Sequence, residues 1–108
     1  RMIEMLELSE DQSARFVARM NEHEARHRDL IKQRQEVLDR IDRLIRNRAE
    51  DRELEKAYQE IHDLQVKTAE EGILFFTSLK DILTTVQRGK LLLFERQFER
   101  ELRDGVPE

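Results

Sequence analysis

Two short stretches of this sequence predict where its long helices begin: Leu8-Ser9-Glu10-Asp11-Gln12 and Leu83-Thr84-Thr85-Val86-Gln87. In each, the Ser or Thr hydroxyl can accept a hydrogen bond from the backbone N–H of the Gln three residues later. The Gln side chain can in turn accept one from the backbone N–H of the Ser or Thr. This reciprocal capping box satisfies two donors at a helix start, so helices are predicted to begin after Ser9 and after Thr84.

The segment after Ser9 carries apolar side chains at the a and d spacing of a heptad repeat. These positions are Val17, Met20, His27, Ile31, Leu38, Ile41 and Ile45, and the flanking apolar residues are Phe16, Leu30, Val37 and Leu44. No Pro or Gly interrupts the pattern, so we predict one helix over residues 9–46. We expect a break at residues 47–51, with Asn47 in a left-handed conformation and Asp51 capping the next helix.

A second periodic segment comes next, with spacings that alternate between four and three. Its positions are Leu54, Tyr58, Ile61, Gln65, Thr68, Gly72, Phe75, Leu79 and Ile82. They predict a helix over residues 51–82, in which Gly72 marks either a weak, bent turn or a close approach between helices. A third helix is predicted over residues 85–103, with Gly105 and Pro107 ending it.

The composition fits long helices better than a compact globule. Of the 108 residues, 41% are charged and 38% hydrophobic, with one Pro, three Gly and no Cys. A chain this polar can bury its apolar side chains along narrow seams between long helices, which argues against a deep-pocketed enzyme. We therefore predict an all-α fold, with a single domain over residues 1–108. We expect a long antiparallel helical hairpin followed by a third, C-terminal helix, in an interlocked homodimer that shares the seams.

The charge distribution argues against nucleic-acid binding. Lys and Arg total 20 and Asp and Glu 24, a net charge of −4, so the basic balance of a nucleic-acid-binding protein is missing. Nine basic and six acidic residues over 26–52 give +3, and two basic and six acidic residues over 53–71 give −4, which suits antiparallel helices in contact. No apolar run approaches the roughly 18 residues of a membrane span. Because the sequence begins at Arg1, we expect that a signal peptide or N-terminal anchor has been removed upstream.

The string His23-Glu24-Ala25-Arg26-His27 fits the H-E-x-x-H pattern, in which two His on one helix face share a zinc ion. We disfavour a protease, because no third ligand occurs at a recognisable spacing and the chain has no room for a substrate-binding sheet. We favour partly buried polar residues, with His27 on the seam and His23 beside it. A site for zinc or another divalent transition metal at His23 and His27 is the alternative. No P-loop, dinucleotide-binding or catalytic-triad pattern is recognisable, so no enzyme activity is predicted.

Residues 73–98 contain a surplus of apolar side chains. The run Leu91-Leu92-Leu93-Phe94 goes all round a helix, so some of these side chains must face a partner or another protein. We take Phe76, Leu92 and Leu93 as candidates for binding a client or partner protein. Arg40, Arg43 and Arg46 are candidates for a basic rim that attracts acidic, partly unfolded chains.

The two capping boxes resemble the paired LTxxQ motifs of the Spy/CpxP family of bacterial periplasmic proteins, with Ser9 in place of Thr in the first copy. The stretch 88–98 is also similar to the segment after the second motif in that family. The resemblance implies a periplasmic domain of about four helices, forming a cradle-shaped antiparallel dimer. It implies binding of unfolding client proteins without ATP, or action as an adaptor on an envelope sensor kinase.

A related branch of that family senses zinc, nickel or cobalt, through a histidine and a methionine shortly before the second motif. Phe75 and Leu79 stand at the corresponding positions here, and neither side chain can serve as such a ligand. Three functions therefore remain open at the level of sequence. The first is a periplasmic stress-response chaperone or adaptor. The second is a periplasmic heavy-metal sensing or resistance domain, and the third is a structural coiled-coil module.

Overall fold

In the computed structural model, residues 2–105 are described, and every regular element within that range is helical. Helix α1 runs over Met2–Leu6, α2 over Glu10–Arg46, α3 over Asp51–Ser78 and α4 over Thr85–Arg103, and a 3₁₀ turn occupies Leu79–Asp81. The all-α prediction is therefore confirmed. None of these helices is long and apolar enough to cross a membrane.

The observed boundaries agree with the predictions for α2 and α4. The predicted helix over 51–82 is wrong at its C-terminal end, because α3 ends at Ser78 and the chain tightens into the 3₁₀ turn. Ile82 and Leu83 are buried outside any helix, so the apolar pattern continues past the point where the helix stops. Pro107, which we predicted to end the last helix, lies outside the described residues.

The sequence pattern did not predict α1, and α4 is therefore the fourth helix and not the third. Five residues are too few to display a helical period, so the apolar pattern gives no signal there. A left-handed Glu7 ends α1, with φ of 58°. The Leu8 N–H donates to the Ile3 carbonyl at 3.4 Å, which closes the turn by a Schellman pattern.

The turn between α2 and α3 differs from the prediction by one residue at each end. Arg48, not Asn47, takes the left-handed conformation, with φ of 54°. The Ala49 N–H donates to the Leu44 carbonyl at 2.9 Å, so the last carbonyls of α2 are satisfied by the turn itself. Asp51 is already the first residue of α3 and therefore does not cap it from outside. Its carboxylate at the positive end of the helix dipole is still favourable.

The chain divides into two compact units. The terminal unit comprises Arg1–Arg19 and Phe76–Glu108, and the central unit comprises Met20–Phe75. In the terminal unit, α4 contacts α1 and the 3₁₀ turn. The buried side chains of this unit are Leu6, Phe16, Leu79, Ile82, Leu83 and Leu91.

The central unit buries apolar side chains of α2 against those of α3. Its core consists of Leu30, Val37, Ala57 and Leu64, with Ile41, Leu44 and Ile61 packed against it. Two ion pairs join the same helices: Arg26 with Glu71, and Arg40 with Glu60.

On α2, the buried stripe precedes the predicted heptad seam by one residue. The buried residues there are Phe16, Leu30 and Val37, which we expected to widen the seam, whereas Val17 and Ile31 of the seam itself are exposed. The second periodic segment is mixed: Tyr58 and Gln65 are exposed, but Phe75, Leu79 and Ile82 are buried as the pattern predicts.

Gly72 lies near the C-terminal end of α3, within the central unit. A Cβ atom added there would meet no heavy atom within 4 Å. The interpretation of Gly72 as a point of close helix approach is therefore wrong for this chain alone.

Candidate functional site

Both predicted capping boxes are present. The Gln12 N–H donates to the Ser9 Oγ at 3.1 Å, and the Ser9 N–H donates to the Gln12 Oε1 at 3.1 Å. At the start of α4, the Gln87 N–H donates to the Thr84 Oγ1 at 3.1 Å, and the Thr84 N–H donates to the Gln87 Oε1 at 2.9 Å. Leu8 is half-buried and Leu83 is buried, so the leucine of each motif packs while its Ser or Thr caps.

The two motifs meet through their glutamine side chains. The Gln12 Nε2 donates to the Gln87 Oε1 at 2.8 Å, and the Gln87 Nε2 donates to the Gln12 Oε1 at 3.3 Å. The second proton of the Gln12 amide goes to the Ile82 carbonyl at 2.9 Å. The Gln87 amide also donates to the Leu6 and Glu7 carbonyls, at 3.3 Å each. Each glutamine therefore caps its own helix and also forms hydrogen bonds to the other motif, so the starts of α2 and α4 are joined directly. We call this hydrogen-bonded contact between the two motifs a joint.

A second joint, which the sequence pattern did not predict, lies at the end of α3. The Arg19 guanidinium donates to the Ser78 carbonyl at 2.7 Å, so it satisfies a carbonyl at the negative end of the α3 dipole. Asp81 of the 3₁₀ turn lies 3.5 Å from Arg19 and 3.6 Å from Arg15. An arginine on one helix that caps another has no sequence signal, because the contact exists only after the chain folds back.

The apolar candidates on α4 are exposed in the terminal unit. Leu92 retains 49% and Leu93 retains 55% of its accessible surface, whereas Phe76 is half-buried. Two shallow grooves adjoin each other between α1 and α4, with volumes of about 340 and about 300 Å³. Met5, Phe94 and Gln97 line both grooves. Phe98 and Glu101 complete the larger groove, and Lys90, Leu93 and Arg96 complete the smaller one.

The basic candidates lie in the central unit, and two of the three have acidic partners. Arg40 forms two hydrogen bonds to the Glu60 carboxylate, at 2.9 and 2.7 Å. Arg46 pairs with Asp42 at 2.9 Å on the same helix, and Arg43 is exposed. These partners reduce the positive potential that the three arginines can present, since a paired charge attracts a distant acidic chain weakly.

Of the two histidines that we expected to be partly buried, only His23 is. We expected His27 on the seam, but it is exposed, while His23 is half-buried and its ring stacks on Phe75 with centroids 4.1 Å apart. The His23 Nδ1 is buried without a hydrogen bond and lies 4.0 Å from the Glu71 carboxylate, which Arg26 already engages. Burial is the main cause that lowers the His23 pKa below its ordinary value. The neighbouring positive groups add to that lowering of the pKa, and Glu71 opposes it.

The two histidine rings are 6.2 Å apart between centroids. Over residues 2–105, no three His, Cys, Asp or Glu side chains are grouped so that they could hold a metal ion. The pair His23 and His27 therefore has no third protein ligand of these types within the described part of the chain, whereas structural and catalytic zinc sites use three or four.

Comparison of the chain with protein-family models, with curated proteins and with solved structures gave no significant match.

Proposed function

We propose that this protein binds exposed apolar segments of unfolding or partner proteins without ATP, as a periplasmic stress-response chaperone or adaptor of the Spy/CpxP kind. The observation that carries the proposal is the exposure of Leu92 and Leu93 on α4. Two adjacent leucines on a well-capped helix offer apolar surface that is available to another chain. Their burial against a client contributes about 1.5–3 kcal/mol per side chain at most, which suits weak, reversible binding.

The bonded pair of glutamines supports the resemblance on which the periplasmic assignment rests. In a chain with two unrelated capping boxes, Gln12 and Gln87 would have no reason to meet. Here each amide is satisfied by the other motif, so the LTxxQ pattern has a physical reason to occur twice. The signal peptide or anchor, the client proteins and the sensor kinase are part of the same proposal.

We further propose that α2 and α3 form an antiparallel hairpin and that two copies of the chain associate as a homodimer. The ion pairs of Arg26 with Glu71 and of Arg40 with Glu60 support the hairpin, because they have the register of antiparallel neighbours. The exposed seam residues support the dimer. Ile31 and Ile45 are exposed two heptads apart on α2, next to the core residues Leu30 and Leu44, and would be covered by a second copy.

The metal-sensing alternative has less support from the geometry. His23 faces Phe75 and Glu71, and its Nδ1 is buried, so a metal ion would have to displace the stacked ring or bind through the other nitrogen. Isothermal calorimetry with zinc, nickel and copper tests it directly. Dissociation constants weaker than millimolar would remove it, and a tighter constant that the His23→Gln variant abolishes would favour it over the first proposal.

An aggregation assay without nucleotide tests the proposed function and separates it from a purely structural module. A chemically denatured test protein is diluted into buffer with or without this protein, and light scattering is followed. We expect the wild-type protein to suppress scattering and the Leu92→Glu/Leu93→Glu double variant to lose most of that suppression. The Leu102→Glu variant is the control, because Leu102 is 67% exposed on the same helix. Equal suppression by all three proteins, with unchanged circular dichroism, would show that Leu92 and Leu93 are not the client surface.

A further inference from the structure

Three side chains that carry metal-binding atoms lie on one face of α2. Met20, His23 and His27 follow one another at spacings of three and four residues, and residues at these spacings are neighbours on a helix surface. Met20 and His23 are half-buried, and His27 is exposed. All three belong to the central unit. One helix therefore presents a thioether sulfur and two imidazole rings to the same side.

The surroundings of His23 determine which of its nitrogens can bind an ion. Its ring stacks on Phe75 with centroids 4.1 Å apart, and its Nδ1 is buried 4.0 Å from the Glu71 carboxylate. Nε2 is therefore the nitrogen that remains for an ion. Because Phe75 and Glu71 both belong to α3, contacts with a second helix hold the ring in place. Contacts that orient a ligand ring favour metal binding, since less freedom is lost when the ion binds.

The two imidazole rings are spaced for sharing one ion. Their centroids are 6.2 Å apart, with 28° between the ring planes. At metal–nitrogen distances of roughly 2.0–2.1 Å, two rings that share one ion have centres up to roughly 6 Å apart. Histidines four residues apart on a helix share a zinc ion in the H-E-x-x-H proteins, so this spacing is compatible with a common ion. The exposed ring of His27 can turn about its side-chain bonds to meet an ion held by His23.

The donor set selects a soft ion with a single charge. Within residues 2–105, no Asp, Glu, Cys or further His joins the two histidines, so the third and fourth ligands that zinc takes from such residues are missing. The third donor on this face is the thioether of Met20, and thioethers select Cu(I). All three donors are uncharged, so none of them offsets the second positive charge of a divalent ion.

We infer that Met20, His23 and His27 form a binding site for a soft monovalent metal ion, Cu(I) or the chemically similar Ag(I). This site differs from the divalent site considered above in its third ligand and in the charge of its ion. It is independent of client binding, because its residues belong to the central unit, whereas Leu92 and Leu93 belong to the terminal unit.

Calorimetric titration with Ag(I) in chloride-free buffer tests the site, because Ag(I) is soft and monovalent like Cu(I) and is not oxidised by air. We expect the wild-type protein to bind one Ag(I) ion per chain at its tightest site. Loss of an outer contact already lowers metal affinity roughly 10–100-fold, so loss of a ligand in Met20→Leu or His27→Gln should weaken binding at least about tenfold. Met5→Leu and His62→Gln are the matched controls, because they make the same substitutions on other helices, and both should bind as the wild type does.

The methyl resonance of Met20 tests the third ligand separately. In protein labelled at its methionine methyl groups and assigned with the Met→Leu variants, one equivalent of Ag(I) should shift the Met20 signal and leave the Met5 signal unchanged. Zinc added to the same sample should leave the Met20 signal unchanged. Wild-type affinity in Met20→Leu, a shift confined to Met5, or equal losses in the site variants and the controls would overturn the inference. Such a result would leave the proposed client surface on α4 unaffected.

Discussion

Replacing Gln12 by Ala removes both the cap at the start of α2 and the hydrogen bonds that join α2 to Ile82 and Gln87. The side chain accepts hydrogen bonds from the Ser9 N–H and from the Gln87 amide, and it donates to the Ile82 carbonyl and to the Gln87 Oε1. A typical hydrogen bond contributes about 0.5–1.5 kcal/mol net, and the bonds to Ile82 and Gln87 lie in a partly buried joint. We therefore expect Gln12→Ala to lower the free energy of unfolding by about 2–3 kcal/mol.

The Gln12→Glu variant separates the local cap from the link between motifs. A Glu at this position can still accept from the Ser9 N–H, as capping boxes with Glu do. It cannot donate, so the Ile82 carbonyl and the Gln87 Oε1 lose the hydrogen bonds from Gln12 and face a carboxylate instead. The expected loss at neutral pH is about 1.5–3 kcal/mol, close to that of Gln12→Ala, although the cap is retained.

Urea unfolding followed by far-ultraviolet circular dichroism measures these losses. The double variant Gln12→Ala/Gln87→Ala should lose about 1–2 kcal/mol less than the sum of the two single variants, because each single variant already removes both hydrogen bonds between the two side chains. Gln59→Ala is the control, since Gln59 bonds to Asp63 on the exposed face of its own helix, and it should cost less than about 0.5 kcal/mol. Additive losses in the double variant, or an unaffected Gln12→Glu variant, would refute the coupling between the two motifs.

Three further changes test other parts of the fold, the first two by the same urea unfolding and the third by thermal unfolding at several pH values. Arg48→Gly should stabilise the protein by about 1 kcal/mol, because Gly adopts the left-handed conformation at this position without steric cost; a destabilised variant would contradict that account. Arg19→Ala should destabilise it by about 1–2 kcal/mol, because the charged hydrogen bond from its guanidinium to the Ser78 carbonyl is lost, whereas the more exposed Arg15→Ala should change it by less than about 0.5 kcal/mol. His23 has a folded-state pKa below its ordinary 6.5, so folding favours the neutral ring; its contribution is complete above that pH and is lost as the pH falls through the folded-state pKa. Melting temperature should therefore fall on mild acidification more steeply in the wild type than in His23→Gln, and parallel pH profiles would rule out this role of His23.

The helices that begin with capping boxes could be predicted from the sequence, because a cap is a local interaction between residues three apart. Ser9 with Gln12 and Thr84 with Gln87 contain all the information that such a start needs. The contact between the two glutamines could not be derived in the same way, since nothing local relates residues that are far apart in the chain. The repetition of the motif is the one feature of the sequence that relates the two glutamines to each other.

The choice between two apolar stripes could not be made from periodicity. On α2, the seam that includes Ile31 has the regular heptad spacing, yet Leu30 and Val37 of the adjacent stripe are the residues buried within the chain. Adjacent stripes have the same period, and only the packing of α2 on α3 decides which of them is covered. Periodicity also does not predict the end of α3. Ile82 and Leu83 are apolar because they are buried in a turn, and their spacing resembles a continuation of the helix.

Hydrogen exchange of the protein with and without a permanently unfolded client tests the central proposal most directly. Amides of α4 around Leu92 and Leu93 should gain protection when client is bound, and the Leu92→Glu/Leu93→Glu variant should show no such gain. Protection confined to other helices, or an exchange pattern that client leaves unchanged, would contradict the assignment of α4 as the binding surface.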